Sequence, residues 1–317
     1  MRILFITATR LGDAVLSTGL LAALLDAHPG ARVTVAGGPV TASLFADVPG
    51  LDQFIPMPKQ KRGGHWFTLW RQVVGTRWDR VIDLRGSLTG YFLRAGRVQR
   101  WQNPTEKGHR LEQIGVCFGV DPISPPRLWI GSLAQSQALD WLKPDARPIL
   151  VLGPTANFIG KQWPLERFAA LAETLTGAGG VLHGARVLLI GAPSERPMAQ
   201  ALFNALPEAE DGFALGDLRA VGAVLRASTL YIGNDSGLMH LAAAAGVPTL
   251  GLFGPSPPEL YGPWAGAGPT AFVTTDRPYP QHWEKLKAEP DFLPQMMDDL
   301  PVARVVAAAE TLLTRGR

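Results

Sequence analysis

Short apolar runs of strand length alternate with stretches of helical period along most of the chain. Residues 3–7 read as a strand, 13–27 as a helix and 32–36 as a second strand. A further strand ends near Pro56, and 80–84 is a strand that opens into Arg85-Gly86-Ser87. In the second half the strand-length runs are 149–152, 186–190, 230–232 and 249–252. Helical patterns at 165–175, 197–206, 217–227 and 238–245 fall between and after them, the last closed by Gly246. Such alternation predicts an α/β chain with doubly wound parallel sheets, one in each half. The polar connector 143–148, with Pro144 and Pro148, predicts a boundary between domains 1–147 and 148–300. Residues 253–301, rich in Pro and Trp, read as irregular before a last helix at 302–313.

The chemistry-bearing residues gather where strands end. Gly233-Asn234-Asp235-Ser236-Gly237-Leu238-Met239-His240 makes a strand-to-helix turn. Such a turn aims unpaired backbone N–H groups at a phosphate or a sugar hydroxyl. It is equally a capped helix, because Asp and Ser are common N-caps. At the first strand–helix turn, Thr9-Arg10-Leu11-Gly12-Asp13 places a carboxylate in the first turn of a helix. The helix start favours its ionised form, which suits a general base acting on a hydroxyl; helix capping is the other reading. After the strand at 149–152 come Gly153-Pro154-Thr155 and then Gly160-Lys161-Gln162-Trp163-Pro164, with Pro164 at a natural N1 position. A hydroxyl and a lysine in such a loop suit a diphosphate, although a lone loop lysine is more often solvated. Glu195, in Gly191-Ala192-Pro193-Ser194-Glu195, suits ribose hydroxyls or serves as a first-turn helix acid. There is no G-x-G-x-x-G after the first strand and no Walker-type loop, which argues against a dehydrogenase and a nucleoside triphosphatase.

Composition narrows the setting. At 317 residues and 46% hydrophobic, the chain is long enough for two cores. Cys117 is its one cysteine, so no intrachain disulfide or cysteine metal cluster forms, and a reducing compartment fits. The opening residues lack the apolar core and cleavage site of a signal peptide. The longest apolar run, 238–253, is interrupted by His240, Gly246, Pro248 and Gly251. A soluble cytoplasmic protein is expected. Net charge is +3, unevenly spread: residues 1–147 hold 18 Lys and Arg against 11 Asp and Glu, and the remainder 12 against 16. The basic half suits an anionic partner such as a phosphorylated lipid, a nucleic acid or a membrane surface.

In order along nearly the whole chain, these segments resemble the heptosyltransferases of bacterial lipopolysaccharide synthesis, glycosyltransferase family 9. The resemblance rests on Arg10-Leu11-Gly12-Asp13, Val81-Ile82-Asp83-Leu84-Arg85-Gly86-Ser87 and Lys161-Gln162-Trp163-Pro164. It continues through Gly191-Ala192-Pro193-Ser194-Glu195, Asp235-Ser236-Gly237-Leu238-Met239-His240 and Gly251-Leu252-Phe253-Gly254-Pro255. It implies a GT-B arrangement, two Rossmann-like domains facing each other across a cleft, with a last helix from 301 that packs back on the first. It also implies a nucleotide-sugar donor, ADP-L-glycero-D-manno-heptose, held by the C-terminal domain, and inverting transfer with no metal or other cofactor. In this resemblance Asp13 is the base that deprotonates the acceptor hydroxyl. Thr155 and Lys161 hold the diphosphate, and Glu195 contacts the ribose. Asp235, Ser236, Gly237, Leu238 and His240 line the donor's sugar and phosphates, although His240 also fits a core histidine.

The acceptor implied is a lipid A–inner core glycolipid at the inner face of the bacterial inner membrane, with no nucleic acid partner. Its anionic groups give the basic half a purpose: Lys59, Lys61, Arg62, Arg97, Arg100, Lys107 and Arg110 are the candidates to bind it. Gly63-Gly64-His65-Trp66-Phe67, read as a loop, sets aromatics beside these charges, as a membrane-surface contact would need. Two other readings remain: a related glycosyltransferase with another sugar or a protein or glycan acceptor, and a non-catalytic nucleotide-binding protein of the same fold.

Overall fold

The computed structural model describes residues 1–102 and 108–315. The chain forms two compact units, Met1–Gly131 and Ser132–Arg317.

The first unit is built on five parallel strands: β1 (Arg2–Ile6), β2 (Arg32–Gly37), β3 (Leu51–Pro56), β4 (Arg77–Asp83) and β5 (Arg94–Arg100). Their order is β3-β2-β1-β4-β5. Ile3, Leu4, Phe5 and Ile6 are wholly buried, which is why β1 reads as an unbroken apolar run: a central parallel strand is covered on both faces. The chain leaves β1 through the helix Leu11–Ala27 and builds outward to β3, then returns to add β4 on the other side of β1. Strand order therefore reverses between β1 and β4, where open α/β sheets place their ligands. The crossover from β4 to β5 spans residues 84–93 and contains a single 3₁₀ turn, Thr89–Phe92.

The second unit carries six strands: β6 (Ile149–Gly153), β7 (Arg186–Leu189), β8 (Glu210–Asp211), β9 (Leu230–Asn234), β10 (Thr249–Phe253) and β11 (Thr270–Thr274). All are parallel, in the order β11-β10-β9-β6-β7-β8, with the reversal between β6 and β9. Helix Leu165–Thr176 buries Phe168, Leu171, Ala172 and Leu175, one helical stripe, against this sheet's core. The final helix, Val302–Arg315, seats Val305, Ala309 and Leu312 in the same core.

One close approach fixes two glycines. The Tyr231 ring lies fully buried over Gly153 and Gly233, which are register partners on β6 and β9, and a Cβ on either would collide with the ring and its hydroxyl. Gly233→Ala is expected to cost about 1–3 kcal/mol by overpacking. Adding Tyr231→Phe should recover part of that loss in thermal melts, because the hydroxyl is the nearest obstacle.

The structure departs from the sequence reading in several places. The units divide at Gly131, ahead of the 143–148 connector, because helix Ser132–Leu142 packs through Ala134 and Ala138 within the second unit. Residues 64–67 are not loop but the start of helix Gly64–Val73, which buries His65, Leu69 and Val73 at every fourth position. Its Gly-Gly entrance, with Gly63 at a left-handed φ of 74°, disguises it. The stretch read as irregular holds β11 and helix Tyr279–Ala288. Pro164 is the N-cap of its helix, not N1.

Candidate active site

In the first unit, the loops after β1, β4 and β5 meet around a cavity of about 220 Å³ lined by Ala8, Asp13, Leu84, Trp101, Arg110 and Ile114. It lies at the carboxyl end of the sheet, beside the β1/β4 reversal. Asp13 stands in the first turn of helix Leu11–Ala27, whose N-cap is Arg10. The wall opposite is built by backbone pairing: Leu84 N–H donates to Ile6 (2.9 Å), and Trp101 N–H donates to the Asp83 carbonyl (2.7 Å). Arg110 is the first residue of helix Arg110–Phe118, held by a capping box in which His109 Nδ1 accepts from Leu111 N–H and Glu112 Oε2 accepts from His109 N–H. Its guanidinium lies 5.1 Å from the Trp101 ring centroid.

Beneath this wall, the Asp83 carboxylate is almost completely buried and organises the loop that follows. It accepts Arg85 N–H at 2.8 Å and the Ser87 hydroxyl at 2.5 Å. Burial pushes its pKa up, while these hydrogen bonds and the Arg85 charge pull the other way. Arg85 folds over the Trp66 ring at 4.5 Å.

In the second unit, two polar clusters occupy the loops after β6, β7, β9 and β10. Lys161, ending the 3₁₀ turn Ile159–Lys161, sets Nζ 2.5 Å from Asp235 Oδ2, and the Ser256 hydroxyl donates to the same oxygen at 2.5 Å. Asp235 is only 7% exposed, so this carboxylate is held by charge and hydrogen bonding together. Nearby in the sheet order, the Thr155 hydroxyl donates to Glu195 Oε2 at 2.7 Å, and Ala192 N–H reaches that oxygen at 3.2 Å. Asn234 ties the frame: its amide donates to the Pro154 carbonyl (2.8 Å), and its Oδ1 accepts Trp163 N–H (3.0 Å). The loop after β6 is thereby fastened to the end of β9.

Ser236 is the N-cap of helix Gly237–Ala245, yet its side chain makes no capping bond, and Asp235 turns to Lys161 and Ser256. The first backbone N–H groups of this helix are therefore left to the space above the strand end. Gly237 and Leu238 supply that first turn, and His240 follows, 5% exposed. The Tyr231 hydroxyl lies beside Ser236, and complete burial raises the phenol's pKa.

The sequence-predicted residues thus separate into groups. Thr155 joins Glu195, and Lys161 joins Asp235, at the reversal point of the second sheet. Asp13 and Arg110 share the first unit's cavity. Arg100 folds onto its own unit, donating to the Gly86 carbonyl at 3.3 Å. Lys59, Lys61, Arg62 and Arg97 are exposed. Lys107 lies outside the described residues. Trp101 and Leu84 were missed, although their places directly after β5 and β4 mark the edge where ligands bind. Ser256, from the loop after β10, was missed too. Among the described residues, no group of His, Cys, Asp and Glu side chains is placed to hold a metal ion. No helix there is long and apolar enough to cross a membrane.

Residues 94–280 match the family model for glycosyltransferase family 9 (heptosyltransferase). The lipooligosaccharide heptosyltransferase 2 of Haemophilus influenzae is 25% identical over 302 residues, covering 83% of this chain and 86% of that one. Among solved structures, a family 9 glycosyl transferase from Veillonella parvula aligns with TM-score 0.79 at 20% identity, covering 99% of this chain and 97% of that one. The E. coli ADP-heptose heptosyltransferase II aligns with TM-score 0.77 at 22% identity, covering 99% of both.

Proposed function

Since the chain belongs to glycosyltransferase family 9, the heptosyltransferases, we propose that it moves a heptose from ADP-L-glycero-D-manno-heptose onto a lipid A–inner core acceptor of lipopolysaccharide, with inversion and without a metal ion. The observation that carries this reading is the pair of clusters Lys161–Asp235–Ser256 and Thr155–Glu195, set at the reversal point of the second sheet inside the matched segment. The donor lies there. Lys161 and the backbone N–H groups of the helix start at Ser236-Gly237, which the Ser236 side chain does not cap, meet the diphosphate. Glu195 keeps Oε1 for a ribose hydroxyl, since its bonds from Thr155 and Ala192 both fall on Oε2 among the described residues.

The acceptor sugar occupies the first unit's cavity, against Trp101, with Arg110 for an acidic group. Asp13 takes the proton of the acceptor hydroxyl as its oxygen attacks the anomeric carbon. The bond from that carbon to the diphosphate breaks on the opposite face, and ADP departs. Charge developing on ADP is met by Lys161 and the helix start, which do the work a metal ion performs in other glycosyltransferases. The enzyme works at the inner face of the inner membrane, where its acceptor is anchored.

The test is ADP release from ADP-heptose in the presence of a lipid A–inner core acceptor, run beside UDP- and GDP-linked sugars. Turnover is expected with the ADP donor and to persist undiminished in excess EDTA. Preference for a UDP or GDP donor would overturn the donor assignment. Loss of rate in EDTA, restored by a divalent cation, would overturn the metal-free mechanism.

A further inference from the structure

Four large apolar side chains stand out of the first unit within one short region: Phe67 (62% exposed), Leu88 (60%), Tyr91 (61%) and Phe92 (68%). Single exposed hydrophobics are ordinary, but a cluster on adjoining elements marks an interaction surface. These elements are joined. The Phe67 and Trp70 rings stack at 5.9 Å, and the Trp70 indole N–H donates to the Phe92 carbonyl at 3.1 Å, binding helix Gly64–Val73 to the turn Thr89–Phe92. The exposure follows from topology: parallel strands are usually joined by a covering helix, and here a single 3₁₀ turn joins β4 to β5. Its aromatic residues face outward because nothing in the crossover is long enough to bury them.

The surrounding charge has one sign. Neither 53–78 nor 84–102 contains an Asp or Glu, while Lys59, Lys61, Arg62, Arg71 and Arg94 are all exposed. Arg71 follows Phe67 by four residues and so shares its helix face. None of these five cations forms an ion pair in the structure's described residues. We propose that this aromatic and basic surface docks the enzyme on an anionic lipid bilayer. Exposed aromatic and apolar side chains with a fringe of Lys and Arg are what the headgroup region of an anionic bilayer accepts.

The placement serves the chemistry. The segment 57–63 and the crossover 84–93 both start from the carboxyl edge of the sheet that also bears the Asp13 cavity, and the crossover then runs back along the sheet to Arg94, which pairs with Arg77 at the start of β4. Leu84 lines that cavity, and Leu88 stands exposed further along the same crossover. A sugar carried on a membrane anchor would thus reach the cavity from the docked side. This inference rests on the glycolipid reading of the acceptor for its purpose, and on surface chemistry alone for its test.

The test is co-sedimentation of the full chain with phosphatidylglycerol vesicles and with phosphatidylcholine vesicles. The parent should bind the phosphatidylglycerol vesicles, more weakly as salt is raised, and bind phosphatidylcholine poorly. The double variant Phe67→Ser/Phe92→Ser should bind them about tenfold more weakly. It should melt with the parent and turn over a soluble, deacylated acceptor at the parent rate. A parent that ignores anionic vesicles, or a double variant that binds them as the parent does, overturns the proposal. So does a lipid-free change of oligomeric state in the variant, which would make this face a contact between copies of the chain. Failure of all turnover with intact vesicle binding would count against the proposed reaction and leave the docking surface standing.

Discussion

Asp13→Asn is expected to lower kcat by roughly 10²–10⁴-fold, the range contributed by a positioned general base. Its KM for ADP-heptose should stay near the parent value. The substitution keeps the shape of the side chain at the wall it shares with Leu84, Trp101 and Arg110, so the cavity survives. What it removes is the capacity to accept a proton from the attacking hydroxyl. Asp13 also sits in the first turn of its helix, where a negative charge contributes about 0.3–1 kcal/mol, so a small fall in melting temperature should accompany the loss. Initial rates and calorimetric ADP affinity separate the two effects. Parent-like turnover in the variant would remove Asp13 from the chemistry.

Lys161→Met is expected to cut kcat/KM by roughly 10²–10³-fold, comparable to removing one preorganised group that stabilises developing charge. Two consequences are mixed in that number. Lys161 would meet the diphosphate, and it also neutralises Asp235, a carboxylate 7% exposed and bonded to Ser256. Removing the lysine strands that charge, at a cost on the order of 3–5 kcal/mol for a fully buried pair and less here, because the lysine is itself 25% exposed. Adding Asp235→Asn should therefore restore much of the melting temperature and none of the rate. If rate returned together with stability, Lys161 would be a structural partner of Asp235 and the diphosphate would need another holder.

The sheets were legible because buried parallel strands write themselves as apolar runs. Residues 149–152 and 230–232 carry one polar side-chain group between them, the Tyr231 hydroxyl, and both lie fully buried in β6 and β9. β5 was not read as a strand: Arg-Ala-Gly-Arg-Val-Gln-Arg is an edge strand with much of its length in water, and its arginines drew attention as charge. Helix Gly64–Val73 hid behind its two opening glycines. In the site, the motifs were visible but their pairings were not. Thr155 and Glu195 are 40 residues apart, and Lys161 and Asp235 are 74 apart. Only strand order brings them to one edge. The turn at 233–240 stood open between capped helix and ligand site because Asp and Ser serve both. The geometry turns Asp235 to Lys161 and leaves Ser236 without a capping bond, so the helix start is not closed by its own side chains. Trp101 carried no motif at all; its role as a cavity wall comes from following β5.

The most direct measurement is the product itself, made by the purified chain from ADP-heptose and lipid A–inner core acceptor and examined by mass spectrometry and NMR. The expected result is one heptose added for each ADP released, with the new linkage of opposite anomeric configuration to the donor, and no product from Asp13→Asn on the same time scale. A product of retained configuration, or an acceptor left unglycosylated while ADP-heptose binds, would contradict a single-displacement heptosyl transfer driven from Asp13.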